Sequence, residues 1–342
     1  MKLRPYIAIA TIIASLLYLI FFYLAFNLDL NELLLVIGQL DLRYLMLSML
    51  LRLSSLFLHT ITWYLLLRIA CREVPLGKVI TIVLIAVAIE FLIPIGGAAE
   101  AIKVLLITQL TSTPSSIALA ALLMHRQLII LTTLITTLIA IYWTDIPWSA
   151  SITIILPILG LFALNTVVLL TPSHPKFETL VDRLVRRFNT SLAGFSNQYK
   201  DSLRSIVDLS KPELYMALMA VVLEKISNSL YGVCLGASLS IHIDILRSLL
   251  AFDSIYAVIW LLPLITPGNL GIFETIQILL LKILGITSKS ATLLALTNRV
   301  VMVVAEYPLL PPLSAYLGIH LKQLASNVSE FLRNNKSKYR NS

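Results

Sequence analysis

Residues 267–274 read PGNLGIFE and residues 94–100 read PIGGAAE, so two short segments of the chain share one pattern. In each segment a proline-containing break is followed by a glycine, two further residues and a glutamate, which is Glu100 in the first and Glu274 in the second. Both segments interrupt apolar stretches, where non-helical backbone and carboxylates are costly because lipid offers them no hydrogen-bond partners. A matched pair of such breaks in the two halves of a membrane protein is typical of the substrate site of secondary transporters.

The pattern continues beyond the breaks, because an arginine follows each glutamate at nearly the same distance. Arg126 lies 26 residues after Glu100, and Arg299 lies 25 residues after Glu274. Each copy therefore contains a break, a carboxylate and a cation inside apolar sequence.

The composition is that of a polytopic membrane protein. The 342 residues are 58% hydrophobic and 13% charged, and the mean hydropathy is +0.90, whereas a soluble domain is about 45–50% apolar and about 25% charged. The net charge of +8 lies mostly in the ends and in one central loop. It indicates positive-inside bias and attraction to anionic lipid headgroups, not nucleic-acid binding. The two cysteines and the scattered histidines predict neither a metal site nor a cofactor.

The apolar segments predict a single all-α integral membrane domain with six full transmembrane helices and two oppositely oriented re-entrant hairpins. A span needs about 20 apolar residues, and several segments reach that length. The predicted parts are a first span at 6–26, repeat one at 42–143 with its hairpin at 79–110, a linking span at 151–170, an amphipathic loop at 171–211, repeat two at 213–319 with its hairpin at 245–285, and a basic tail at 320–342.

The predicted membrane topology depends on the position of the central loop. Segment 171–211 holds seven Lys and Arg residues, so the positive-inside rule places it in the cytoplasm, with both termini of the chain. A single crossing by element 79–110 would put this loop outside, whereas a hairpin that enters and leaves on the cytoplasmic side keeps it inside. The two repeats then run in opposite directions, as in many transporters. If both broken elements span instead, the tail still lies inside, and only the central loop and short loops distinguish the two topologies.

The central loop also contains apolar residues at helical spacing between positions 177 and 188, with arginines on the other face. This pattern predicts an amphipathic helix. The helix either lies on the anionic inner leaflet or packs against the ends of the bundle.

A family resemblance rests on the second break. Residues 262–274, LPLITPGNLGIFE, and residues 282–285, KILG, are similar to the P-x-x-PGG-x-G-x-x-E … LG signature of the lysylphosphatidylglycerol synthase transmembrane-region family. That family includes the flippase half of the multiple peptide resistance factor. The first break and residues 120–127 resemble the matching N-terminal pattern, so the resemblance covers nearly the whole chain. Asn269 stands where the family usually has its second glycine.

The resemblance implies translocation of a lipid headgroup. The family's soluble catalytic domain has no counterpart here, since only residues 320–342 follow the last predicted span. We therefore expect no aminoacyl transfer to lipid.

Ionisable residues within the apolar segments are candidate site residues, because such residues normally face the bundle interior and pair. The candidates for headgroup binding or coupling are Glu100, Glu274, Lys103, Arg126, Arg299, Arg52 and Glu224, together with the backbone breaks at Pro94, Gly96, Gly97, Pro267, Gly268 and Gly271. The same segments also contain His59, Glu90, His125, Lys225, Asp253 and Glu306.

Two roles remain open for the glutamates. Each break exposes the N-terminus of a helical arm, whose N–H groups and dipole favour an anion such as a lipid phosphate. In one interpretation Lys103, Arg126 and Arg299 hold phosphate while the glutamates bind an amine or a coupling proton. In the other, the glutamates are structural and satisfy the helix ends.

Three functions are compatible with these observations. The first is a flippase that moves a polar headgroup through a cavity between the repeats. The second is a membrane-embedded transferase or hydrolase that acts on lipid-linked substrates, and the third is an assembly factor that transports nothing. The sequence contains no DxD, HExxH, GxSxG or glycine-rich phosphate loop, so we expect a transporter and not an enzyme.

Overall fold

The computed structural model describes residues 38, 40–90, 98–171, 195–208, 210–260 and 271–306. The regular secondary structure in these ranges is helical. The helices are α1 (Leu42–Ala70), α2 (Leu76–Glu90), α3 (Ala98–Leu110), α4 (Ser115–Trp143), α5 (Trp148–Leu170), α6 (Phe195–Ile206), α7 (Pro212–Ser238), α8 (Ile245–Phe252), α9 (Ser254–Trp260), α10 (Ile272–Ile283) and α11 (Ser288–Glu306). Several predicted features lie outside the described residues: the span at 6–26, the amphipathic segment 177–188, the tail at 320–342, and the break residues Pro94, Gly96, Gly97, Pro267 and Gly268.

Four of the described helices are long and apolar enough to cross a membrane, namely α1, α4, α5 and α7. The shortest of them, α5, has 23 residues and is about 35 Å long, against about 30 Å of hydrocarbon. All four coincide with predicted spans, so the chain is a multi-pass helical membrane protein. The full arrangement of six spans and two hairpins stays a prediction.

The most extensive helix contact in the described fold joins α1 to α7, the first helices of the two predicted repeats. Near one end of the pair, the backbone N–H of Asp41 donates to the carbonyl of Ser238 at 3.0 Å. Further along, the Ser227 hydroxyl donates to the carbonyl of Leu51 at 2.8 Å. The start of α1 therefore meets the end of α7, and the two helices run antiparallel.

Helices α2 and α3, the arms of the first predicted hairpin, pack against each other. The Lys78 ammonium, near the start of α2, donates to the carbonyl of Leu110 at the end of α3, at 2.8 Å. The two arms are therefore antiparallel, as a hairpin requires.

The second predicted hairpin differs from the sequence expectation in its first arm. The sequence predicted a hairpin at 245–285 interrupted at its proline-containing break, but the first arm is also interrupted, since α8 ends at Phe252 and α9 begins at Ser254. The interruption is at Asp253, whose carboxylate accepts hydrogen bonds from Lys225 and Asn228 on α7. We attribute the break to these contacts, which hold the backbone of this residue close to α7.

Helix α6 lies in the predicted cytoplasmic loop, and its helical pattern was missed. Its apolar face is buried, and the helix packs against α4 and α1. The Tyr199 hydroxyl donates to the carbonyl of Leu169 at 2.8 Å, and burial raises the pKa of this phenol above its usual range. In the described part of the loop, the apolar face thus packs on the bundle, which is the arrangement we considered as the alternative for segment 177–188.

Candidate functional site

The second break ends at Gly271, which begins α10 with a φ of 83°. This backbone region favours glycine because a side chain would be strained there. Glu274 is the third residue of the helix, and one of its carboxylate oxygens accepts the Gly271 backbone N–H at 2.7 Å. That contact is the reciprocal half of a capping box, and it satisfies an N–H group that would otherwise lack a partner.

The other carboxylate oxygen of Glu274 accepts a hydrogen bond from Nε of Arg299 on α11. Both side chains are buried, and the guanidinium carbon lies 5.1 Å from the centre of the Phe273 ring. Helix end, carboxylate and cation therefore satisfy one another. The arrangement favours the structural interpretation for Glu274 and Arg299 over direct contact with a substrate.

Glu100 occupies the same position in α3, three residues after Gly97. Lys103 and Arg126 lie close enough to stabilise its carboxylate electrostatically. The glutamate and arginine of each sequence copy thus lie near one another in the fold. Glu100 differs from Glu274 in being partly exposed.

A hydrogen-bonded chain of three side chains crosses the contact between the repeats. The Lys103 ammonium donates to Nε2 of His59 at 3.2 Å, and Nδ1 of His59 donates to Oε1 of Glu224 at 3.3 Å. An ammonium has donors only, so Nε2 must carry the lone pair and Nδ1 the proton. This assignment makes His59 a neutral bridge between α3 and α7. Lys103 and Glu224 are buried.

A second imidazole lies beside this chain. The ring of His125 on α4 is 4.4 Å from that of His59. Among the described residues, Nε2 of His125 and Oε2 of Glu224 are buried without a hydrogen-bond partner. His59, His125 and Glu224 offer ligand atoms within 4.8 Å of one another, a spacing that a transition metal could use. The bonds to both nitrogens of His59 and the ammonium groups of Lys103 and Lys225 oppose a cation there.

Arg52 belongs to the same region. It lies seven residues before His59 on α1, about two turns along the same face. Its guanidinium carbon is 6.0 Å from the centre of the Tyr256 ring, and its charge acts on Glu224.

The residue after Glu224 forms a buried ion pair of its own. Lys225 donates to Asp253 at 3.0 Å and to the Thr133 hydroxyl at 2.7 Å. Asn228 donates to the same carboxylate at 3.3 Å. These bonds tie α7 to α4 and to the break between α8 and α9, so we assign the pair a positioning role.

Repeat two has uncharged side chains at the positions that match Lys103 and His125 of repeat one. Lys103 lies six residues after Gly97, and Gln277 lies six residues after Gly271. His125 and Asn298 likewise come directly before the two arginines of the repeated pattern.

In a neutral network of repeat two, the Tyr231 hydroxyl donates to Oδ1 of Asn298, whose amide donates to Gln277 at 2.9 Å. The Gln277 amide then donates to the carbonyl of Ala251 at 3.2 Å. These groups are uncharged at neutral pH.

The fold therefore sorts the predicted site residues into two places. Lys103, Glu100, Arg126, Arg52 and Glu224 lie around the α1–α7 contact, whereas Glu274 and Arg299 form a separate pair. The sequence indicated His59 and His125 only as charges within apolar segments. It did not indicate Tyr231, Gln277 or Asn298. An alignment of the two sequence copies that continues beyond the breaks would have matched Gln277 to Lys103 and Asn298 to His125.

A family model described as "Lysylphosphatidylglycerol synthase TM region" matches residues 7–306. No curated protein and no solved structure matches the chain.

Proposed function

Because the chain belongs to the lysylphosphatidylglycerol synthase transmembrane-region family, we propose that it moves a polar or charged lipid headgroup across the cell membrane. The family is associated with lipid modification or flipping in the membrane, and membership implies association with membrane phospholipids. In our proposal the headgroup passes between the two repeats while the acyl chains stay in lipid. In this proposal the protein moves the headgroup and transfers no chemical group to or from the lipid.

The observation that carries the proposal is the Lys103–His59–Glu224 chain, buried where the two repeats meet. Charged side chains are expensive inside a bilayer, and they usually mark a substrate or ion pathway. This chain of side chains connects α3, an arm of repeat one, to α7, the first helix of repeat two. Movement of one repeat relative to the other would therefore change its hydrogen bonds.

The antiparallel packing of α1 and α7 supports an inverted repeat, in which the site lies between two oppositely oriented halves. The contact between Lys78 and Leu110 supports a hairpin at 79–110 that starts and ends on one side of the membrane. With the basic central loop, these contacts favour six spans, two re-entrant hairpins and cytoplasmic termini.

The site residues take separate roles in this proposal. Lys103, Arg52 and Arg126 hold the headgroup phosphate, because cations grouped near a buried interface attract an anion. Glu100, which is partly exposed, accepts an amine where the headgroup carries one. Glu274 and Arg299 keep α10 in place.

The test uses purified protein in liposomes that contain a trace of headgroup-labelled phospholipid. Loss of fluorescence to a membrane-impermeant quencher reports lipid that reaches the outer leaflet. We expect faster loss than in protein-free liposomes for at least one of the anionic, zwitterionic and amine-bearing lipids. No acceleration with any of them would contradict the proposal and shift weight to the transferase and assembly-factor hypotheses.

A further inference from the structure

The two buried side-chain networks, the histidine chain and the neutral network, differ in their capacity to take up a proton. Around the α1–α7 contact, the histidine chain joins His59 of repeat one to Glu224 of repeat two, with His125 beside it, whereas the neutral network consists of Tyr231, Gln277 and Asn298. The neutral network is closed by three hydrogen bonds. Asn and Gln do not titrate, so the asymmetry concerns protons in particular.

The histidine chain contains a place for an additional proton. Glu224 uses Oε1 to accept from His59, while its Oε2 is buried without a hydrogen-bond partner among the described residues. A carboxylate oxygen in that situation can take up a proton without breaking the existing bond. The exposed fraction of the His59 side chain is 19%, so the chain is not sealed at this residue.

We propose that Glu224 and His59 form a proton-binding site that couples headgroup movement to a proton gradient, an inference that rests on the function proposed above. A proton from one side of the membrane binds Oε2 of Glu224 and leaves to the other side in the same transport cycle. No covalent bond other than the O–H bond forms or breaks.

Protonation changes the contact between the repeats. Ionised Glu224 accepts a charge-assisted hydrogen bond from His59, and such bonds are roughly twice as strong as neutral ones. Neutral Glu224 keeps only a weaker hydrogen bond and loses its attraction to the surrounding cations. Binding of the proton therefore favours a conformation in which α7 has moved away from α1 and α3. A ligand shifts a conformational equilibrium by the difference in its affinity for the two conformations.

The charges around the site link the proton to an anionic headgroup. The groups that act on Glu224, His59 and His125 are Arg52 on α1, Glu100 and Lys103 on α3, Arg126 on α4, Lys225 on α7 and Asp253 between α8 and α9. Arg299 on α11 is paired with Glu274 on α10. The four cations of the first group outnumber the three carboxylates of the region, which are Glu100, Asp253 and Glu224 itself, and a bound phosphate would offset the excess. Phosphate and proton therefore favour each other's binding, and this linkage is reciprocal.

The first measurement detects the proton itself. Infrared titration of the purified protein in lipid should show a protonated-carboxyl C=O band that appears on acidification and is absent in Glu224→Gln. The band should appear at higher pH in anionic than in zwitterionic lipid. Asp208→Asn is the matched control, since Asp208 is an exposed carboxylate in the loop between α6 and α7, and its substitution should leave the band in place.

The second measurement detects coupling. Liposomes with a trace of labelled lipid are given a pH gradient, and the steady-state distribution of the label between the leaflets is measured. With one proton per lipid, one pH unit shifts that distribution by about tenfold. Glu224→Gln, whose amide cannot take up the proton, should show no shift.

The outcomes separate the two proposals. Lipid movement by the parent protein that reaches the same distribution with and without the gradient would overturn the coupling and leave the flippase proposal standing. The absence of the Glu224 band would overturn the proton site in the same way. No movement of any lipid would overturn the flippase proposal, and the coupling with it.

Discussion

Glu274 and Arg299 form a buried ion pair in which the carboxylate also accepts the backbone N–H of Gly271. One side chain thus closes the start of α10 and fixes it to α11. A buried carboxylate raises the free energy of a membrane-embedded helix. The hydrogen bonds from Arg299 and Gly271 offset this cost for Glu274.

Glu274→Gln should destabilise the protein by about 3–5 kcal/mol, because the Arg299 charge stays buried without its counter-charge. The amide oxygen of Gln can still accept the Gly271 N–H, so the loss measures mainly the ion pair. The free energy of unfolding, followed in mixed micelles by titration with SDS, checks the value. The double variant Glu274→Gln/Arg299→Gln should lose less than the sum of the single losses. Additive losses would show that the two side chains are not coupled.

Gly232 should be intolerant of alanine, because α7 and α8 approach closely at this residue. A Cβ there would overlap the hydroxyl of Ser248 and the ring of Phe252. We expect Gly232→Ala to lower the free energy of unfolding by about 1–3 kcal/mol, as overpacking does. Gly77→Ala is the control, since a Cβ at Gly77 meets nothing within 4 Å and alanine favours a helix by up to about 1 kcal/mol. Equal effects of the two changes would refute the close approach.

Lys103→Gln should slow lipid movement in the liposome assay by about tenfold, equivalent to the roughly 1.5 kcal/mol of a hydrogen bond to a charged group. The effect should be larger for anionic than for zwitterionic lipids, because Lys103 is proposed to bind the phosphate. Lys282→Gln removes an exposed ammonium on α10 and should leave the rate unchanged. The same loss in both variants would indicate a general effect of charge.

The two ends of α7 should face opposite sides of the membrane. Its 27 residues make a rod of about 40 Å, enough to cross the bilayer. In a background with Cys71 and Cys234 replaced by serine, Asp208→Cys should react with an impermeant maleimide only from the cytoplasmic side. His242→Cys should react only from the outside. Labelling of both positions from one side would reject the predicted topology.

The prediction from sequence was most successful for the long helices and for the helix that follows each break. α4 ends at residue 143, the predicted end of repeat one, and α3 and α10 begin directly after Gly97 and Gly271 of the two breaks. These features depend on local hydrophobicity and on glycine in the break, which the sequence displays directly. α6 was missed although Phe195, Tyr199, Leu203 and Ile206 recur at helical spacing.

The interruption at Asp253 was not predicted, because it depends on a partner on another helix. Residues 245–260 form an uninterrupted apolar segment apart from two charges, and nothing local requires a break. The carboxylate accepts from Lys225, 28 residues earlier in the chain.

The amino-acid sequence by itself determined that this is a multi-pass helical membrane protein with two matched breaks, and it identified the charged residues that such a protein must pair. Hydrophobicity, length and glycine placement are properties of single segments, so they can be read without the fold. The tertiary structure alone decided which charges meet. His59 and Glu224 are 165 residues apart in sequence, and only the antiparallel packing of α1 on α7 brings them together. That same packing separates the histidine chain, which can take up a proton, from the Glu274–Arg299 pair, which holds a helix end in place.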